Sequence, residues 1–373
     1  MLDLEPWGGK DGGVTDPSPS TGELEERGKA IFARLRDDSS ESSTAAADST
    51  GTEASGSGDQ AVGRLAESDV EDRPDPPEPT PHPTSSDPPV DEGQVDQPAG
   101  SAEAVATEVP APTGRVVPPL PRVIAVANQK GGVGKTTTTI NLGACLADLG
   151  YRVLVVDLDP QGNASTGLGI NIRGLQASMY DVMLADVPIE DCVEATSVRN
   201  LFVAPASLDL AGAEIELVPA FSRELRLKQA LHEVRDDYDY VLVDCPPSLG
   251  LLTINGMAAA SEVLVPIQTE YYALEGLGQL MRNVGLVQKN LNPALEISTI
   301  VLVMYDARTK LADQVASEVR EHFGEKVCRI MIPRTVRLSE APSFGQPIIA
   351  FDPTSRGAIA YRELAKEVSG GPA

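Results

Sequence analysis

Cysteine, histidine, basic side chains and long apolar runs are all scarce in this sequence. Its 373 residues include 4 cysteines and 3 histidines. Cys145, Cys192, Cys245 and Cys328 lie far apart, with neither CxxC spacing nor a histidine beside them. This excludes a disulfide-stapled scaffold or a zinc ribbon and leaves reduced core thiols, as expected of a cytosolic protein. No apolar segment approaches the ~20 residues that cross a bilayer. Residues 1–10 lack a basic region followed by an apolar one, so no secretory leader is expected. Lys and Arg number 30 against 55 Asp and Glu, a balance that taken whole speaks against nucleic acid as a partner.

That balance is uneven along the chain. The first 120 residues carry 25 acidic and 8 basic side chains, whereas the remaining 253 carry 30 and 22 together with nearly all the long apolar runs. Residues 1–120 are dominated by Pro, Ser, Asp, Glu, Gly, Thr and Ala, and they cannot bury enough apolar surface to offset the entropy of ordering. They are expected to form a disordered acidic tail. One interruption, Gly22 to Asp38, sets Leu24, Ala30, Ile31, Phe32 and Leu35 loosely on one helical face among Arg27, Lys29, Arg34 and Arg36. It fits a short helix that folds onto a partner, and equally a nascent helix of no consequence.

Residues 121–373 are long enough for one self-sufficient core. Apolar runs at 123–127, 152–158, 201–204, 240–244, 263–267 and 297–304 alternate with helical patterns at 135–149, 222–234, 252–260 and 270–289. Continuous apolar strands alternating with helices predict an α/β fold, a doubly wound and mostly parallel sheet covered on both faces. In such sheets ligands bind beyond the carboxyl ends of the strands.

Between the first strand and the first helix stands Lys130-Gly131-Gly132-Val133-Gly134-Lys135-Thr136-Thr137. Glycines let backbone N–H groups turn inward, the helix N-terminus adds partial positive charge, and Lys135 can reach a terminal phosphate. The Thr136 hydroxyl stands where Mg²⁺ needs a ligand. The ordinary P-loop has glycine where this chain has Gln129, so the motif is the deviant Walker A variant headed by Lys130. Two strands end in aspartate, at Asp157 and Asp244. Asp244 is placed to hold Mg²⁺ or its waters, Asp159 to orient a hydrolytic water, and Asp157 to support the loop or the outer shell of the metal.

KGGVGKTTT, DLDPQGNAST, DCPPSLGLLTINGMAAA, QTEYYALEG, MYDARTKLADQV and IPRTVRLSEAPSFGQPI occur in this order. Together they resemble the ParA/Soj family of chromosome-partitioning ATPases, from Arg122 to about Val368. The resemblance implies a P-loop NTPase fold, ATP and Mg²⁺ as cofactors, and a nucleotide cradle made by Gly131 to Thr137 with Pro333 nearby. It implies an ATP-bound homodimer in which Lys130 contacts the partner's nucleotide. It further implies non-specific DNA binding through Arg308 and Arg337, with Lys310, Arg334 and Arg356 as neighbours, in a cytoplasmic, nucleoid-associated protein. A ParB-type centromere-binding protein would stimulate hydrolysis. The acidic tail lies outside the shared region and could engage a polar scaffold. Thr335 stands where asparagine is expected in many members.

Three rivals share parts of this pattern. A MinD-like membrane-associated ATPase needs an amphipathic C-terminal anchor, and residues 361–373 make a poor one. An iron-protein reductase needs a paired-cysteine cluster loop that is absent. A DNA-binding scaffold for which ATP only sets the shape differs in whether turnover matters.

Overall fold

A computed structural model describes residues 118–270 and 273–371. The expected disorder of the tail and the pattern at 22–38 fall on residues outside the described ones.

In chain order the elements are β1 (Arg122–Val126), α1 (Lys135–Asp148), β2 (Val153–Asp157), α2 (Asn163–Gly167), α3 (Met179–Leu184), β3 (Glu194–Ala195) and β4 (Leu201–Ala204). There follow α4 (Leu210–Glu216), α5 (Arg226–Val234), β5 (Tyr240–Asp244), α6 (Leu251–Ala259), β6 (Glu262–Gln268) and α7 (Ala273–Asn290). The last are β7 (Glu296–Val303), α8 (Lys310–Phe323), α9 (Val336–Glu340), α10 (Ile348–Phe351) and α11 (Arg356–Ser369). The strands form one sheet in the order β3-β4-β2-β5-β1-β6-β7. All pairings are parallel except that of β3 with β4. The expected doubly wound α/β sheet is therefore present.

Every residue of β1, β2 and β5 is buried, which explains why these strands read as unbroken apolar runs. Along β5 the side chains alternate between two cores. Val241 and Val243 join the core on one face, Tyr240 and Leu242 the core on the other. The connection from β1 runs through α1 to β2 on one side of it, and that from the adjacent β5 runs through α6 to β6 on the other, which opens a crevice beyond their carboxyl ends.

The structure differs from the sequence expectation in a few places. The predicted helix at 222–234 begins at Arg226, after a 3₁₀ turn, because Ser222 adopts the left-handed φ of 51°. The irregular stretch after Leu158 holds α2, α3 and the two-residue edge strand β3, all too short to show a periodicity.

One buried cluster joins the start of the domain to its end. Arg122 donates from Nε and Nη2 to the two carboxylate oxygens of Glu262, each at 2.7 Å, and from Nη1 to the Val368 carbonyl at 2.6 Å. A single guanidinium thus ties β1, β6 and α11 together, with its hydrogen-bonding capacity largely met.

Candidate nucleotide site

The glycine-rich loop leaves β1 at the crevice and ends where α1 begins. Gly132 (φ 72°) and Gly134 (φ 77°) take the left-handed backbone that side chains disfavour, and Gly134 is the N-cap of α1. A Cβ on Gly131 or Gly132 would meet no atom within 4 Å, so the loop borders open space. The loop is held from behind. Asn128 Nδ2 donates to the Pro266 carbonyl (2.8 Å) while its Oδ1 accepts from the Lys130 amide (3.0 Å). Gln268 Nε2, at the end of β6, donates to the Gly132 carbonyl (2.9 Å).

The two lysines of the motif occupy different surroundings. Lys135 is 6% exposed and its Nζ lies 3.4 Å from the Lys130 carbonyl. Burial lowers its pKa, an effect the Asp244 carboxylate opposes. A phosphate in the cradle would supply the counter-charge that this ammonium lacks. The Lys130 side chain is 35% exposed at the rim, with Nζ donating to Gln268 Oε1 (3.2 Å) and Glu270 Oε2 (3.3 Å).

Parallel register sets Asp157 directly beside Asp244, and both are fully buried. Asp157 accepts from the Asp159 amide (3.2 Å) and from the amide (2.8 Å) and hydroxyl (2.7 Å) of Ser165. Its two oxygens thus organise the loop that leaves β2. Asp244 Oδ1 accepts from the Thr139 hydroxyl at 3.0 Å, whereas Asp244 Oδ2 is buried with no hydrogen-bond partner. Burial, then the neighbouring Asp157 charge, pushes the Asp244 carboxyl well above the usual carboxylate range, and Thr136 and Thr139 oppose the shift as donors. Burial likewise raises Asp157. An orphaned buried carboxylate oxygen beside a threonine hydroxyl is a hard-oxygen donor set, and it suits Mg²⁺.

Asp159 follows at the mouth of the site, 8% exposed, with Oδ1 accepting from the Gln161 amide at 3.0 Å. Gly162 (φ 62°) turns the chain into α2. Pro333 lines a cavity of about 360 Å³ with Thr137, Val303, Met304, Arg334 and others, directly beside Gly134.

The late arginines separate into two settings. Arg308 is 89% exposed and holds Asp306 through Nε (2.9 Å) and Nη2 (2.6 Å). It lines a groove of about 610 Å³ together with Arg334 and Arg356. Arg337 lies outside that lining. It pairs with Glu340 (3.1 Å) and Asp352 (3.4 Å), and its guanidinium stands 5.8 Å over the Phe351 ring. Thr335 caps α9, its hydroxyl accepting from the Leu338 amide at 3.4 Å, a duty that asparagine also performs.

Sequence reading missed Thr139, Asn128, Gln268 and Ser165. Thr139 alone carried a local signal, since it lies one helical turn after Lys135 and therefore faces the strand behind the loop. The other three act across strands or loops.

Residues 121–297 match the AAA domain family. The sporulation initiation inhibitor protein Soj of Bacillus subtilis is 59% identical over 248 residues, 66% of this chain and 98% of that protein. The chromosome partitioning protein ParA of Caulobacter vibrioides is 54% identical over 249 residues, 66% of this chain and 93% of that protein. Among solved structures, one described as cobyrinic acid a,c-diamide synthase of Mycobacterium smegmatis, with bound ATP analogue and magnesium, is 42% identical. It covers 66% of this chain and 93% of its own, with a TM-score of 0.58.

Proposed function

Since the chain belongs to the Soj/ParA family of chromosome-partitioning ATPases and is an ATPase that uses ATP and Mg²⁺, we propose that it is a DNA-bound partitioning switch. The domain is residues 121–373, and the acidic residues 1–120 are an appended tail. ATP joins two copies, and hydrolysis parts them.

The observation that carries this reading is the unequal placement of two lysines on one loop. Lys135 is buried inside the cradle, where it meets the phosphates of its own nucleotide. Lys130 stands at the rim, one-third exposed, where it can meet the nucleotide of a second copy. Gly131, Gly132, Val133, Gly134, Thr136 and Thr137 supply backbone and hydroxyl groups to the phosphates, and Pro333 borders the cavity beside them. Thr136 and Asp244 hold Mg²⁺, with Asp157 fixing the loop behind. When bound, Mg²⁺ neutralises charge on the phosphate oxygens. Asp159 orients the attacking water, while Lys130 and Lys135 stabilise charge on the transferred group, which suits a reaction that needs positioning more than covalent help.

Arg308, Arg334 and Arg356, with Arg337 beside them, contact DNA phosphates without regard to base. Pairing two copies doubles these contacts and makes affinity depend on the nucleotide. A ParB-type partner accelerates hydrolysis and releases the dimer. The setting is cytoplasmic and nucleoid-associated, and the tail is available to a polar scaffold. A MinD-like membrane role is disfavoured, because α11 buries Tyr361, Leu364, Ala365 and Val368 in the core and packs on α1. No helix of the described residues is long and apolar enough to cross a membrane. An iron–sulfur reductase is disfavoured because all four cysteines are buried.

The test is ATPase activity measured with DNA, with a ParB-type protein, with both and with neither. Joint stimulation well beyond either alone is expected. An unchanged rate in all four, or a chain that stays monomeric with a slowly hydrolysed ATP analogue, overturns the reading.

A further inference from the structure

Large apolar side chains stand in solvent around α4. Ile215 is 77% exposed and Phe221 92%, and Leu208, Val218 and Leu249 are also exposed. Leu208, Ile215 and Val218 recur at helical spacing on the side opposite Leu210, Ala213 and Leu217, which are buried. Leu249 precedes Gly250, which lies against this helix. A Cβ on Gly250 would fall 1.7 Å from Glu214 Oε1, so α4 lies directly against the loop that follows Asp244.

The stretch of chain that carries this face is acidic, although Asp186 is paired with Arg226 and Glu224 with Arg223. Residues 181–224 contain nine acidic side chains (Asp181, Asp186, Glu190, Asp191, Glu194, Asp209, Glu214, Glu216 and Glu224) against two basic ones, Arg199 and Arg223. Their net of −7 is nearly all of the net −8 carried by residues 121–373. Asp209, Glu214 and Glu216 sit on or beside α4 itself, and Glu214 Oε1 is buried with no hydrogen-bond partner. An apolar patch of this kind calls for a cover, and its rim calls for a basic one.

The chain contains such a cover. Residues 27–36, RGKAIFARLR, hold four of the eight basic residues of the acidic tail and no acid, interleaved with Ala30, Ile31, Phe32 and Leu35. We propose that residues 27–36 dock on the α4 face, with Ile31, Phe32 and Leu35 against Leu208, Ile215, Val218 and Phe221 and the arginines toward the acidic rim. The intervening residues 37–117 number 81. At ~3.3 Å per residue their contour exceeds the diameter of a domain this size several-fold, so reach does not limit the contact. Tethering raises the effective concentration of the segment, so a contact too weak to hold as a free peptide can form within the chain. Docking places the tail against the loop after Asp244, which gives it access to the nucleotide end of the domain. The arginine-lined groove is a separate surface and is left clear.

The test uses the full chain and thiol crosslinking, for which the four buried native cysteines are a silent background. Phe32→Cys is combined with Ile215→Cys, or with Glu321→Cys on α8, which follows β7 at the far edge of the sheet. In dilute nucleotide-free protein, the intrachain crosslink to position 215 should exceed that to 321 by about tenfold. Adding Arg34→Glu and Arg36→Glu should bring it down to the level at 321. Equal yields at the two positions, crosslinks found only between two chains, or a yield indifferent to charge reversal would each overturn the proposal.

Discussion

The Lys130 ammonium lies 3.3 Å from the Glu270 carboxylate, within one and the same chain. Gln268, which grips the glycine-rich loop through the Gly132 carbonyl, accepts from the same ammonium at 3.2 Å. The lysine that serves a second copy under the proposed function is thus engaged at home, and the proposed dimerisation has to break those contacts. Glu270→Gln should therefore favour the ATP-analogue dimer. Each pair is partly exposed and contributes only ~0.2–1 kcal/mol, and a dimer releases two of them, so the dimerisation midpoint should fall by about two- to thirtyfold. Sedimentation velocity across a concentration series checks this, and an unchanged or raised midpoint rejects it.

Thr139 is expected to matter although it lies one helical turn behind the glycine-rich loop. Its hydroxyl is the donor to Asp244 Oδ1, and Thr139→Val keeps the shape while removing that donor from a buried carboxylate whose Oδ2 already has no partner. Activity should fall by about ten- to a hundredfold, and the apparent Mg²⁺ requirement should rise. Steady-state rates across a Mg²⁺ titration separate this from a simple loss of stability, since Thr139→Ser should restore most of the activity.

The side-by-side carboxyls Asp157 and Asp244 set the pH response of the metal-free protein. Burial raises both, so the folded chain holds more protons than the unfolded chain at neutral pH. The sign follows directly: stability falls as pH rises from the ordinary carboxylate range through the raised folded values. Asp244→Asn should flatten that slope and stabilise the metal-free protein by ~1 kcal/mol or more at pH 7.5, while abolishing ATP hydrolysis. Thermal unfolding between pH 5 and 8.5, with chelator present, would reveal a slope that the substitution leaves intact if the account is wrong.

Arg308 and Arg356 line one groove and face it together with Arg334. If each neutralises one phosphate, the double variant Arg308→Ala, Arg356→Ala should weaken DNA binding equally on unrelated sequences. It should also reduce the slope of log affinity against log salt by about two. Arg337 is already paired with Glu340 and Asp352, so phosphate must displace those partners, and Asp352→Asn should tighten DNA binding modestly. Fluorescence anisotropy at several salt concentrations tests both.

The parts of the site legible in the sequence are those whose chemistry is local. Lys130 to Thr136 form one continuous cradle, and Asp157 and Asp244 close apolar strands, so residue order alone placed them at one edge of a parallel sheet. What stayed hidden depends on register and on contacts between distant segments. Nothing near Gln268 says that it reaches back to Gly132, and nothing near Asp157 says that Ser165 and the Asp159 amide occupy its oxygens. The pairing of Arg337 with Asp352 crosses fifteen residues and a turn of irregular backbone, so the exposed charge read from the sequence is in fact partly neutralised. Short elements were lost for a different reason: α2, at five residues, is less than two full turns and cannot display a periodic face.

The Arg122 clamp has a practical corollary for anyone wishing to watch this molecule move. Arg122 opens the first strand and Val368 lies near the close of the final described helix, so these two ends of the described domain meet behind the sheet, away from the glycine loop. A fluorescent reporter spliced at residue 371 would ride on that rear handle and, under the proposed function, would follow assembly and release without sitting in the path of a second copy.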